Sequence, residues 1–234
     1  MAASSPLRAA WLGRVEYDRA VALQEALLLA RQADRIPDTL LLLEHPPVVT
    51  LGRATQAHHL LAGEAELARR GIALRPAARG GDVTFHGPGQ LVGYPIVDLT
   101  PRGRDVHRYL RDLESGLIAA LARFGLAAGR VPGLTGIWVG NEKIAAIGIG
   151  VRRWVAWHGF ALNVSVDLAY FQLIVPCGIG DRGVTSLARA LGRSVQLAET
   201  LAPVAEGIAA DLGAALTWIA PEALLAEAQA APTE

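Results

Sequence analysis

If residues 17–32 are helical, apolar side chains at Val21, Leu23, Ala26, Leu27, Leu28 and Ala30 share one wide face, so the spacing predicts a helix packed on a sheet. Two short apolar runs follow, residues 40–43 and 48–51, split by His45-Pro46-Pro47, the pattern of buried strands on either side of a turn. The clearest helical period covers residues 104–124. There Val106, Tyr109, Leu110, Leu113, Leu117, Leu121 and Phe124 recur at three- and four-residue steps and Gly125 ends the run. Between residues 136 and 166 the chain turns to β-branched, aromatic and small residues. Gly140-Asn141 supplies a turn between 137–139 and 143–151, so a β-meander is expected. Shorter helices are predicted at 64–70, 184–191, 196–212 and 221–228. Strands and helices are interleaved without regular βαβ alternation, which places the chain in the α/β class as a mixed, α+β-type sheet with flanking helices. No repeat or linker divides it, and residues 1–234 read as one domain with a small helical tail from about residue 192.

A chain of 234 residues buries enough surface to fold without disulfides or metal. Hydrophobic residues make up 52% and mean hydropathy is +0.31, yet Gly, Pro or a charge interrupts each apolar stretch before the 18 or so residues that a membrane span needs. The 22 basic and 22 acidic residues cancel, which argues against nonspecific nucleic-acid binding. No apolar run follows the N-terminus, so neither a secretory nor a transit peptide is expected and a cytoplasmic location is the simplest reading.

Two residues stand out against this background. Lys143 is the one lysine among the 22 basic side chains, and Cys177 is the one cysteine. Arginine stays protonated in any protein environment, whereas lysine can be brought to exchange protons, so Lys143 is a candidate for acid-base work. The alternative is a surface cation that merely escaped replacement. Cys177 has no disulfide partner and is either a small buried apolar residue or a reactive thiol. It sits in Pro176-Cys177-Gly178-Ile179-Gly180, a turn-like setting in which backbone N–H groups can face a ligand.

The run Arg79-Gly80-Gly81-Asp82-Val83-Thr84-Phe85-His86-Gly87-Pro88-Gly89-Gln90-Leu91-Val92-Gly93-Tyr94 packs five glycines among Arg, His, Thr, Gln and Tyr. Residues 83–85 and 91–94 are expected to pair as strands around Gly87-Pro88-Gly89. The lysine of a P-loop and the GxGxxG spacing are both missing, so phosphate cradling is disfavoured.

This run resembles the motif of the lipoyl(octanoyl) transferases, also called lipoate-protein ligase B, at every specified position. The likeness continues through Lys143-Ile144-Ala145-Ala146-Ile147-Gly148, His158-Gly159-Phe160-Ala161-Leu162-Asn163, Pro176-Cys177-Gly178 and Thr185-Ser186-Leu187, and covers about residues 40–191. The resemblance implies a fold similar to the catalytic domains of biotin protein ligases and lipoate ligases. The activity it implies is acyl transfer, with an octanoyl group passing from octanoyl-acyl carrier protein to a lysine of the lipoyl domains of 2-oxoacid dehydrogenases or of a glycine-cleavage H-type protein. By the same resemblance Cys177 carries the acyl-thioester and Lys143 assists it. The walls of a hydrophobic acyl slot are then Arg79, Gly80, Gly81, Asp82, Val83, Thr84, Phe85 and His86, with Ala146, Ile147, Gly148, Gly159, Phe160 and Ala161. No cofactor, metal, nucleic acid or membrane is implied, and a monomer is expected.

His86 and His158 lie inside the motifs and are expected to shape the pocket by hydrogen bonding; a Cys-His thiol hydrolase is the alternative use of them. His45 is placed near the pocket rim, and His58, His59 and His107 at the surface. Arg102, Arg104, Arg108 and Arg111, or the pair Arg152 and Arg153, could meet an acidic carrier protein, against the plainer reading of solvated faces. Two rival functions stand beside acyl transfer: an ATP-dependent lipoate or biotin-type ligase, which does not need Cys177, and a non-catalytic acyl-carrier-binding protein.

Overall fold

The computed structural model describes residues 6–175 and 182–229. Its strands are β1 (Pro6–Arg14), β2 (Asp38–Glu44), β3 (Val48–Leu51), β4 (Ala73–Pro76), β5 (Thr84–His86), β6 (Gln90–Asp98), β7 (Gly129–Val131), β8 (Leu134–Val139), β9 (Glu142–Arg152), β10 (Val155–Asn163), β11 (Gly183–Val184) and β12 (Ala215–Trp218). Its α-helices are α1 (Tyr17–Gln32), α2 (Glu64–Arg69), α3 (Val106–Ala122), α4 (Leu187–Leu191), α5 (Ala198–Asp211) and α6 (Pro221–Gln229).

A nine-stranded mixed sheet runs in the order β12-β1-β2-β6-β10-β9-β8-β7, and β11 lies parallel to β9 at Glu142 and Lys143. The expected meander is present: β8, β9 and β10 are antiparallel neighbours, and Gly140-Asn141 closes the turn between the paired residues Val139 and Glu142. β10 is buried along its whole length, which explains why small and apolar residues occupy both of its faces. The apolar stripe of α3 packs with α5 on one face of the sheet, in a core that holds Tyr109, Leu113, Leu117, Val204 and Ile208. α1 and α6 cover the other face, where Leu27, Leu28 and Leu224 are buried with Val92, Tyr94 and Ala161. Asp105 caps α3 by accepting the Arg108 N–H at 2.9 Å.

Two sequence expectations change here. The segment beyond residue 192 is not a purely helical tail: α5 contributes to the same core as α3, and β12 extends the main sheet beside β1. Nor do residues 83–85 and 91–94 form a hairpin. β5 pairs with β3 in a separate three-stranded sheet, β4-β3-β5, while both edges of β6 are taken by β2 and β10. The Gly87–Gly89 corner carries the chain from one sheet to the other. Gly89 adopts φ +84°, its N–H donates to Glu44 Oε1 at 2.6 Å, and a Cβ there would meet the Ser165 backbone at 2.7 Å.

Candidate active site

The site lies where the two sheets meet. A cavity of about 490 Å³, open mouth included, is lined by Tyr17, Arg79, Gly81, Asp82, Thr84, His86, Tyr94, Ala146–Gly148 and His158–Ala161. Eleven of the fourteen slot residues expected from sequence are therefore on its wall. Gly80, Val83 and Phe85 are not, for a reason of strand geometry. Successive side chains of an extended segment point to opposite sides, so Thr84 and His86 face the cavity. Val83 and Phe85 are fully buried on the far side with Val166, Phe171 and Ile174. Gly80 acts through its backbone, donating its N–H to Ile149 O at 2.8 Å and pinning the glycine-rich run to β9. A Cβ on Gly148 would come within 2.9 Å of Gly80 O and 3.1 Å of Arg79 Cδ, so this approach of run to strand requires glycine.

Arg79 organises the run from inside. It is 9% exposed; its Nη1 donates to Gly80 O (3.1 Å) and Asp82 O (2.8 Å), and its Nη2 to Thr50 O (3.0 Å) and Thr50 Oγ1 (2.8 Å). Asp82 Oδ1 accepts the Val83 N–H at 2.6 Å and its other oxygen pairs with His59 Nδ1. His59 is thus not the surface residue that its sequence context suggested. Its carbonyl also accepts the Val175 N–H at 2.7 Å, tying the glycine-rich run to the residue that precedes position 176.

His45 is likewise not at the rim. It is fully buried, with Nδ1 2.7 Å from Val15 O and Nε2 2.8 Å from the Tyr94 hydroxyl. A carbonyl can only accept, so Nδ1 carries the proton and the Tyr94 O–H donates to Nε2. His86 is fixed by a chain of amides. Gln90 Nε2 donates to Asn163 Oδ1 (2.9 Å) and Phe85 O (3.2 Å), which leaves its Oε1 to accept from His86 Nδ1 (2.7 Å), and Asn163 Nδ2 donates on to Thr185 O (3.0 Å). His158 has φ +55° in the middle of β10, an uncommon conformation for a residue with a side chain. The left-handed backbone turns its ring to the side of Trp157, with which it stacks at 4.1 Å, and the Gln24 side chain of α1 accepts its backbone N–H at 2.9 Å.

Burial sets the charge state of all three histidines. Desolvation pushes His45 down to about 4 despite its bond to Val15. Desolvation, reinforced by His45 and Arg79, takes His86 to about 3; desolvation, with Arg79 and Arg53, does the same to His158. All three are neutral at pH 7, and their ordinary value is 6.5. Between pH 6.5 and those folded values the unfolded chain binds more protons than the folded one, so stability falls as pH falls. At pH 5.5 the three together cost about 4 kcal/mol relative to neutral pH. Urea unfolding at pH 7.5 and 5.5 measures this directly, and equal stabilities at the two pH values would contradict it.

Lys143 is 7% exposed in β9. Its Nζ lies 4.9 Å from the Trp138 ring centre, where the Arg182 guanidinium also approaches at 5.4 Å. Gly136 makes room for its stem, since a Cβ there would sit 3.4 Å from Lys143 Cε; the Gly136 N–H in turn donates to Oε1 of the fully buried Glu114 at 3.1 Å. Lys143 lines a small cavity with Thr84, Gln90, Ala146, Asn163, Phe171 and Val184. Thr84 and Ala146 belong to both cavities, so the lysine stands at one end of the slot. Cys177 lies outside the described residues. The chain is described again from Arg182, and Val184 is then the β-partner of Lys143.

Among the described residues no helix is long and apolar enough to cross a membrane. The model of the lipoyl protein ligase A/B catalytic domain matches residues 16–209, most of the chain and every wall of the slot. The chain belongs to the lipoyl protein ligase A/B catalytic domain family. A relative, an octanoyltransferase of Solibacter usitatus, is 57% identical over 188 residues, which are 80% of this chain and 84% of that protein. Among solved structures, a bi-partite lipoate protein ligase of Thermoplasma acidophilum superposes with a TM-score of 0.75 at 18% identity, covering 97% of this chain and 91% of that one. A biotin protein ligase of Aquifex aeolicus complexed with biotin and ATP gives a TM-score of 0.56 at 16% identity, over 88% of this chain and 70% of that one. At those identities the two ligases share the fold, and it is the fold expected from sequence. The slot is built from two sheets: the large one supplies β9 and β10, and the small one holds the glycine-rich run over them.

Proposed function

We propose that this chain transfers an octanoyl group from octanoyl-acyl carrier protein to a lysine of a lipoyl domain, in 2-oxoacid dehydrogenases or a glycine-cleavage H-type protein, by way of a thioester on Cys177. One observation carries the reading: the chain's only lysine lines the cavity that continues the slot, so an acyl chain lying in the slot brings its carbonyl towards an amine that can exchange protons.

An unperturbed thiol of pKa about 8.5 is only a few per cent thiolate at neutral pH. In the proposed sequence the Lys143 ammonium favours the Cys177 thiolate, which attacks the carrier thioester. The tetrahedral intermediate collapses with cleavage of the carrier C–S bond, and the departing carrier thiolate takes a proton from Lys143. The acceptor lysine amine then attacks the enzyme thioester, an amide forms, Cys177 leaves as thiolate, and neutral Lys143 accepts the proton lost by the attacking nitrogen. One thioester replaces another in the first half, so no nucleotide is consumed. Intact mass spectrometry after incubation with octanoyl carrier in the absence of ATP is expected to reveal a gain of one octanoyl group that is lost in Cys177→Ser. Absence of the adduct, or a requirement for ATP, would overturn the reading and favour an adenylating ligase.

A further inference from the structure

Three cavities stand in series along β9 and β10. The small cavity of Lys143 shares Thr84 and Ala146 with the slot, and at its other end the slot shares Tyr17 and His158 with an outer cleft of about 670 Å³. The cleft is completed by Val21 and Glu25 of α1, residues 76–78 and Trp157. Ile149, the β-partner of His158, is six residues beyond Lys143 in β9, roughly 20 Å of strand, so the Tyr17–His158 pair is at the end of the slot remote from the lysine.

That end wall is held from several sides. Tyr17 is 6% exposed and packs edge-on against His45 at 5.4 Å; His45 is clamped between Val15 O and the Tyr94 hydroxyl. His158 meets Tyr94 edge-on at 6.1 Å and is turned into the wall by its left-handed backbone, which α1 secures through Gln24. Among the described residues the buried His158 Nε2 has no hydrogen-bond partner, so no bond of that nitrogen explains the ring's position. An uncommon backbone conformation thus holds the ring at the junction of the slot and the outer cleft.

We infer that Tyr17 and His158 form the stop that sets acyl-chain length, and that removing the Tyr17 side chain joins the slot to the outer cleft and admits longer chains. The inference rests on the acyl-transfer reading above, and its test separates the two. Each methylene that gains burial favours binding by about fourfold. Wild-type protein is expected to transfer octanoyl at least tenfold faster than dodecanoyl from the matching carrier thioesters; equal rates would overturn the stop without any variant. Tyr17→Ala is expected to raise the dodecanoyl-to-octanoyl rate ratio at least tenfold, and Tyr17→Leu, which keeps more of the packing, to raise it less. An unchanged ratio in either folded variant that still transfers octanoyl overturns the stop and leaves the function standing. If the wild-type protein transfers neither acyl group, the function itself fails. Calorimetry with free dodecanoic acid then judges the wall alone: tighter binding to Tyr17→Ala than to wild type supports it and equal binding overturns it.

Discussion

Replacing Lys143 with arginine is expected to cut octanoyl transfer at least a hundredfold while leaving the protein folded. A positioned proton donor and acceptor contributes about 10²–10⁴ in rate, and arginine keeps the positive charge but cannot exchange the proton. Space works against it as well. The lysine stem passes 3.4 Å from where a Cβ on Gly136 would be, and its end shares a small cavity with Thr84, Asn163 and Phe171, so a planar guanidinium has little room to turn. Lys143→Met isolates the charge: if the ammonium's main task is to favour the Cys177 thiolate, the pH at which acyl-enzyme forms should move upward in Met and stay in place in Arg. Turnover by Lys143→Arg within threefold of wild type, with an unchanged melting temperature, would remove proton transfer from the proposal and leave only the electrostatic role.

The parts of this fold that sequence reveals are those whose signal is local. α3 announces itself because seven apolar residues recur at helical steps and Gly125, at φ +75°, ends the run. The β8–β9 turn is legible because Gly140-Asn141 separates two β-branched and aromatic stretches by two residues. What escaped is pairing between distant segments. β5 and β6 are separated by three residues and look like a hairpin, yet each finds a better partner elsewhere. β6 is sandwiched in the large sheet, and β5 closes the small one against Val48–Thr50. Spacing cannot report that choice, because it is made by which surfaces are left to cover after the sheets assemble.

The site divides in the same way. Its walls were legible through the glycine-rich run and the two strand motifs, but the residues that hold those walls were not. His45 was read as rim because prolines follow it, whereas both of its nitrogens are satisfied internally, by Val15 and Tyr94. His59 gave no local signal at all, since its partner Asp82 is reached only after the small sheet folds over. Tyr17 is the first residue of α1 and carries no signal of its own in the sequence; only its place on the walls of two cavities sets it apart. One hint was available for His158: it stands immediately before a glycine whose Cβ would meet Gly93 O at 2.3 Å, a place where two backbones close up and a neighbouring residue can be forced out of register.

The second large effect concerns the Arg79 guanidinium inside the glycine-rich run. Arg79→Lys is expected to destabilise the protein by about 2–4 kcal/mol and to lower octanoyl transfer more than tenfold, even though the charge is conserved. Arg79 reaches two separate targets with its two terminal nitrogens, the run itself at Gly80 and Asp82, and β3 at Thr50. An ammonium is a single point and cannot span both, so at least two of these acceptors lose their donor in a buried site, each at a cost of about 1–3 kcal/mol, offset in part by rearrangement. The run would then be free to lift from β9, where the Gly80 N–H now holds Ile149 O, and the slot would lose its roof. Arg79→Met separates shape from charge. It breaks the same bonds but also removes a positive charge that adds to burial in keeping His86 and His158 deprotonated, so in that variant both rings should titrate above their wild-type values while burial still holds them below their ordinary one. Unfolding free energies at pH 7.5 and NMR titration of the two rings decide it: if Arg79→Lys matches wild type in stability, the fork does not hold the run, and if His86 and His158 titrate in Arg79→Met where they do in wild type, the charge of Arg79 does not govern those two rings.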